Sequence, residues 1–160
     1  MIGLLFPGQG SQAVGMGREL AGAFDVARRT FEEADDILGT SLSRLCWEGP
    51  EEDLTATRNA QPAILVHSIA AYRVLGDQLG DAGCAAGHSL GQFTAYLAAG
   101  AFSFEDGLRT VRRRGELMYE SGNARPGTMA AVLGLDDADV ERVCSDASGA
   151  DRTCVPANYN

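Results

Sequence analysis

The 160-residue chain contains no lysine: its 13 basic residues are all arginine. That absence excludes Schiff-base chemistry and a Walker-type phosphate loop, both of which need a lysine ammonium. We read it as the composition bias of a GC-rich genome. Positive charge is scarce overall, since 22 acidic residues oppose those 13, for a net charge of −9 and a pI near 4.6. A surface this acidic repels nucleic acid and anionic membranes, so neither is expected as a partner. Histidine occurs twice, as His67 and His88. The four cysteines (Cys46, Cys84, Cys144 and Cys154) form no C-x-x-C pair and have no histidine at ligand spacing. No metal or cofactor is therefore expected, and the thiols should be reduced in a cytoplasm. No apolar run approaches the roughly 18 residues that a membrane span requires. The opening Met1–Phe6 run is too short and uncharged for a signal peptide. What remains is a globular composition, 45% hydrophobic and 22% charged. Its length suits one domain with, at most, a small second lobe.

The apolar run Ile2–Phe6 stops at Pro7-Gly8 and reads as a buried strand feeding a glycine-rich loop, Gly8–Gln12. Helices are expected over Gly15–Ala21, Phe24–Leu38, Ser41–Trp47 and Glu51–Thr55, followed by a loop through Gln61. Pro62 suits a first helical turn, so the next helix is placed over Pro62–Leu79. Gly83–Gly87 reads as a short buried strand, and Gln92–Ala99 as an alanine-rich helix. Ser103 can cap a helix over Phe104–Glu120, with Asp106 at the capping-box position. Ser121–Gly127 marks a lobe boundary. Beyond it a strand (Thr128–Leu133), a helix (Asp136–Ser145) and a second strand (Thr153–Ala157) are expected.

Gly87-His88-Ser89-Leu90-Gly91 fits G-x-S-x-G between a strand and a helix, the setting of a nucleophile elbow. The flanking glycines relieve crowding in the turn, Ser89 projects its hydroxyl, and the Leu90 N–H can donate to an oxyanion. A serine nucleophile needs a base. His88 adjoins Ser89 and its side chain should diverge at an elbow, whereas His67 reads as an ordinary helix histidine. The Gly8–Gln12 loop can also be read as a dinucleotide pattern through Gly8, Gly10 and Ala13. That fingerprint needs an acidic residue at a second strand end, and Glu32 and Glu33 fall in mid-helix instead. Its N–H groups are better read as part of an oxyanion hole. In the run Arg112-Arg113-Arg114, two residues should be solvated and one can turn inward, where it would need a carboxylate partner.

Taken together, these pieces resemble the bacterial malonyl-CoA:acyl carrier protein transacylases. The resemblance rests on Phe6-Pro7-Gly8-Gln9-Gly10-Ser11-Gln12, Gln61-Pro62-Ala63, the Ser89 elbow, Arg114-Gly115 with Met118, Gly127–Gly134 and Asn158-Tyr159-Asn160. It implies an α/β fold: an α/β-hydrolase-like large lobe, here residues 1–124, and the start of an inserted ferredoxin-like small lobe, residues 125–160. It implies Ser89 as nucleophile, Gln9 and Leu90 as oxyanion-hole donors, and Arg114 as the ligand of the malonyl carboxylate. Gln61, Met118 and Asn160 would line the substrate site. Malonyl-CoA and acyl carrier protein would be the partners, in cytoplasmic fatty acid biosynthesis.

Two departures stand out. Gln92 replaces the glutamate usual after the elbow. The family's catalytic histidine lies downstream of the small lobe, so these residues are expected to be an N-terminal portion of a longer, truncated chain. The rival readings are a polyketide acyltransferase, a serine hydrolase or thioesterase, and a non-catalytic carrier-binding fragment.

Overall fold

The computed structural model describes residues 2–80, 82–125 and 127–159. The chain divides into two compact units, Met1–Arg125 and Pro126–Asn160.

In the first unit, β1 (Ile2–Phe6) pairs in parallel with β2 (Ala82–Gly87), with Phe6 opposite Gly87 and Leu4 opposite Ala85. Parallel neighbours need a long crossover. Here it carries five helices: α1 (Arg18–Ala23), α2 (Asp25–Leu38), α3 (Leu42–Glu48), α4 (Glu51–Thr55) and α5 (Thr57–Leu75). After β2 come α6 (Leu90–Ala98) and α7 (Phe104–Ala124). Ser103 caps α7 as its sequence suggests: its hydroxyl accepts from the Asp106 N–H at 3.0 Å.

The core is built around α5. Ten of its residues, from Ala60 to Ala70, are buried, so the helix is apolar on nearly every side. Phe31, Ala27 and Ala34 of α2 pack with it in one core cluster, together with Leu108 and Val111 of α7 and Leu90 of α6. Phe31 also stacks obliquely on Trp47, with ring centroids 5.5 Å apart. Helix α2 ends at Gly39, whose φ of 63° supplies the left-handed cap that glycine tolerates best. Asp35, near that end, accepts from the Ser43 N–H at 2.9 Å and so caps α3 from outside.

The sequence reading of a loop through Gln61, with the helix opening at Pro62, is corrected here. Helix α5 already runs from Thr57, and Pro62 lies in its interior. A proline there has no N–H for the carbonyl four residues back. That carbonyl, of Arg58, accepts instead from Nη1 of Arg112 on α7 at 3.0 Å. The helix also ends earlier than expected, at Leu75, because Gly76 (φ 43°) turns the chain into a short 3-10 segment over Gly76–Leu79.

The second unit holds α8 (Asp137–Ala147), with Asp136 at its N-cap position but making no side-chain capping bond. The strands expected over Thr128–Leu133 and Thr153–Ala157 do not form. Strand structure requires a partner, and the described residues of this unit supply one antiparallel bridge only, Gly149 with Arg152. Apolar side chains there, such as Leu133 at 89% exposure, have no packed face to join. The Ser148 hydroxyl instead draws the 153–155 segment onto α8, accepting from the Cys154 N–H at 3.0 Å and donating to the Cys144 carbonyl at 2.9 Å.

Candidate active site

Ser89 sits between the end of β2 and the first residue of α6, with φ 51° and ψ −103°. Among the described residues it is the one non-glycine residue with positive φ. Such strain persists only where the surroundings impose it. Two glycines make the geometry possible. A Cβ on Gly87 would collide with the Gly91 carbonyl, and a Cβ on Gly91 would collide with the Phe6 carbonyl. Strand end, turn and helix start are thus in backbone contact, and the exposed Ser89 is held at their junction. Leu90 opens α6; its N–H has no hydrogen-bond partner among the described residues, whereas those of Gly91 and Gln92 donate to the His88 and Ser89 carbonyls at 2.9 and 3.2 Å.

The Gly8–Gln12 loop lies against this turn. A Cβ on Gly8 would come within 2.8 Å of the His88 carbonyl oxygen and 2.9 Å of its Nδ1. The loop is held by its own bonds: Gly10 N–H donates to Gln12 Oε1 at 2.8 Å, and Ser11 Oγ donates to the Gly8 carbonyl at 3.0 Å. Gln9 reaches the other way, its Nε2 donating to Thr57 Oγ1, at the start of α5, at 3.1 Å.

Helix α7 brings in Arg114. Its Nη2 donates to Ser89 Oγ at 3.0 Å and its Nη1 to Gln61 Oε1 at 2.6 Å. Gln61 is fully buried on α5, and its Nε2 donates to Met118 Sδ at 3.2 Å. Four of the residues singled out in the sequence, Ser89, Arg114, Gln61 and Met118, are thereby joined in one bonded chain across three elements. The inward arginine is Arg114. Arg113 is exposed, beside Glu116. The expectation that two of the three are solvated fails at Arg112, which is three-quarters covered and bonded to α5. Asn160 lies outside the described residues.

Among the described residues Arg114 has no carboxylate within ion-pair distance, although Arg112 and Arg113 on the same helix turn both do. Its guanidinium instead meets two neutral oxygens and lies 5.6 Å from the centroid of the Phe93 ring. A half-covered cation without a counter-charge among the described residues, beside a strained serine, is chemically able to pair with an anionic group. Phe93 escaped the sequence reading. Its one signal is position: an aromatic four residues after the serine, on the helix that the elbow starts. Gln92 is exposed.

Neither histidine is hydrogen-bonded to Ser89 among the described residues. His67 lies in α5, partly covered, with an unpartnered buried Nδ1; burial holds its pKa below the ordinary histidine value. No cluster of three metal-ligating side chains occurs among the described residues. Among the described residues no helix is long and apolar enough to cross a membrane.

Residues 4–152 match the family model described as an acyl transferase domain. The malonyl CoA-acyl carrier protein transacylase of Bacillus subtilis is 46% identical over 159 residues, covering 99% of this chain and 50% of that protein. The crystal structure of an acyl-carrier-protein S-malonyltransferase from Burkholderia pseudomallei superposes with a TM-score of 0.81 at 44% identity, covering 91% of this chain and 48% of that one. A malonyl-transacylase solved in complex with its type II polyketide synthase acyl-carrier protein superposes equally well, at 0.81 and 42% identity, over 91% of this chain and 47% of that one. The chain spans about half the length of these relatives.

Proposed function

Because the chain belongs to the acyl transferase domain family, we propose that it carries the nucleophile half of an enzyme that moves malonyl from malonyl-CoA to the phosphopantetheine thiol of acyl carrier protein. Ser89 Oγ attacks the thioester carbonyl, the carbon–sulfur bond breaks, and coenzyme A leaves as its thiol. The carrier thiol then attacks the malonyl-serine ester and regenerates the hydroxyl, a ping-pong sequence. The backbone N–H groups of Gln9 and Leu90 stabilise the oxyanion of each tetrahedral intermediate. Gln61 and Met118 shape the acyl pocket.

The observation that carries this reading is the guanidinium of Arg114, 3.0 Å from Ser89 Oγ and with no carboxylate within ion-pair distance among the described residues. Malonyl bears its free carboxylate two bonds from the acyl carbonyl. The carboxylate therefore meets Arg114 while the carbonyl carbon lies at Ser89. An acyl group lacking that carboxylate leaves the half-covered fork without a counter-charge, and discrimination follows.

The Ser89 proton needs a base that neither His67 nor His88 supplies by hydrogen bonding. We assign it to a histidine in a further part of a longer chain, for which these residues form the N-terminal half. The open two-stranded sheet supports that view, since Leu5 of β1 is 85% exposed. In this reading the first unit belongs to an α/β-hydrolase-like large lobe, and the second begins an inserted ferredoxin-like lobe. The enzyme serves cytoplasmic fatty acid biosynthesis. The likeness to a transacylase bound to a polyketide carrier keeps a polyketide pathway as the second reading.

The test is intact mass spectrometry of the whole protein after exposure to malonyl-CoA. One added malonyl group, mapped to Ser89 and discharged by a holo carrier protein, is expected. A hydrolase would release the group to water without the carrier. A carrier-binding fragment would never gain it, and either result rejects the transferase.

A further inference from the structure

We propose that Arg112 is a positioning residue for the Gln61–Arg114 pair, supplying the hydrogen bond that Pro62 withholds from helix α5. Its bearing on malonyl rests on the function proposed above.

Helix α5 has a built-in fault. Pro62 cannot donate, so the half-buried Arg58 carbonyl loses its helical partner, and an acceptor left unpaired there is costly. The fault lies directly beside the site. Gln61, the residue before the proline, is buried and bonded to Arg114. Thr57, one turn earlier, receives the side-chain bond of Gln9. The first turn of α5 thus touches both the proposed oxyanion loop and the carboxylate fork, at the place where the helix is weakest.

Arg112 repairs the fault from outside. Its Nη1 donates to the Arg58 carbonyl at 3.0 Å and to Asn59 Oδ1 at 2.8 Å. Its Nε donates to Glu116 at 3.0 Å, which neutralises the charge and fixes the side chain along α7. Gly115 allows the close approach: a Cβ there would come within 2.9 Å of the Thr57 carbonyl oxygen and 3.0 Å of Arg58 Cα. Two successive contacts therefore fix the register of α7 on α5, Arg112 on residues 58–59 and Arg114 on Gln61. Arg112 has its own counter-ion and no bond to Ser89, so it is not a ligand of the acyl group. It decides where Gln61, and through it Arg114, stands.

This account makes an unusual double-mutant prediction. Arg112→Met keeps the apolar stem and removes the donors. Pro62→Ala returns an N–H to the helix, so the Arg58 carbonyl no longer needs Arg112. In the intact protein, R112M is expected to raise KM for malonyl-CoA roughly tenfold with a smaller change in kcat, because binding geometry is lost and the nucleophile is untouched. Amide hydrogen exchange over residues 59–66 should quicken in the same variant. The double variant P62A/R112M should regain most of both losses. A side chain that only packs would not be rescued by an alanine at position 62. The inference is overturned if the double variant is as impaired as R112M, or if R112M leaves both exchange and KM at wild-type values. If the wild-type protein never loads malonyl, the function above fails, and the exchange measurements still decide whether Arg112 and Pro62 are coupled.

Discussion

Arg114 on α7 donates one guanidinium N–H to the hydroxyl of Ser89 at 3.0 Å, while its other arm holds the buried carbonyl oxygen of Gln61 at 2.6 Å. Twenty-five residues separate the serine from the arginine, and 53 separate the arginine from the glutamine. The fold brings these three together because α5, α6 and α7 pack pairwise against one another. A guanidinium fixed in this way keeps its fork in one plane before any ligand arrives, which lowers the ordering cost of binding a carboxylate.

Replacing that fork should therefore be selective. Arg114→Met is expected to reduce kcat/KM for malonyl-CoA by about 100-fold, the scale of a lost charge-assisted hydrogen bond. Transfer of acetyl, which has no carboxylate, should change little or improve. Parallel assays with the two thioesters check this, and an equal loss for both would remove Arg114 from carboxylate recognition.

The elbow glycines should tolerate no methyl group. Gly91→Ala places a Cβ on the Phe6 carbonyl, a rigid backbone atom. The expected destabilisation is about 3 kcal/mol or more, in the range of severe backbone clashes. Gly22 in α1 is the contrast, with nothing within 4 Å of its virtual Cβ. Gly22→Ala should stabilise by roughly 0.5–1 kcal/mol, through helix propensity and unfolded-state entropy. Urea unfolding of the two variants tests the opposite signs.

Local signals carried much of this architecture. The strand at Ile2–Phe6, the α4 limits and the Ser103 cap all follow from short-range chemistry, and so does the turn around Ser89; the expected burial of that strand does not hold, since Leu5 is 85% exposed. The errors arose where a distant group overrode the local rule. Pro62 normally opens a helix, yet here it lies inside one because Arg112, 50 residues away, takes over the missing bond. Residues 128–133 have strand-forming composition but no partner strand in their unit, and pairing is not a local property. Within the site, glycine spacing and the position of Arg114 were legible. Phe93 was not, because an aromatic on an alanine-rich helix reads as ordinary core.

Stability should fall as the solution becomes acidic, through His67. Burial depresses its folded-state pKa, so the native protein holds the imidazole neutral while the unfolded chain protonates near pH 6.5. Above that pH the two states bind equal numbers of protons at this residue, and the full stability is present. As pH drops through 6.5 towards the lower folded value, the unfolded state binds more protons and is favoured. His67→Gln should flatten the dependence of the urea midpoint on pH between about 7.5 and 5.5, the span around the unperturbed histidine pKa. An unchanged slope in the variant would place the acid sensitivity elsewhere.

The four thiols should separate cleanly by reactivity. Cys46 is fully buried in the core, and its pKa is pushed up to about 12, chiefly by burial and secondarily by the nearby Asp35 charge. Thiolate is the reacting form, so Cys46 is shielded both sterically and chemically. Cys84 and Cys154 are exposed and Cys144 is half-buried, its thiol pushed up by burial and by its contact with Cys154. Iodoacetamide at pH 8 should label Cys84 and Cys154 first, Cys144 more slowly, and Cys46 only once urea has opened the core. Peptide mapping after timed labelling reads this order directly. Early modification of Cys46 in native buffer would mean that the packing of α3 against Phe31 of α2 opens locally, well below the free energy of global unfolding.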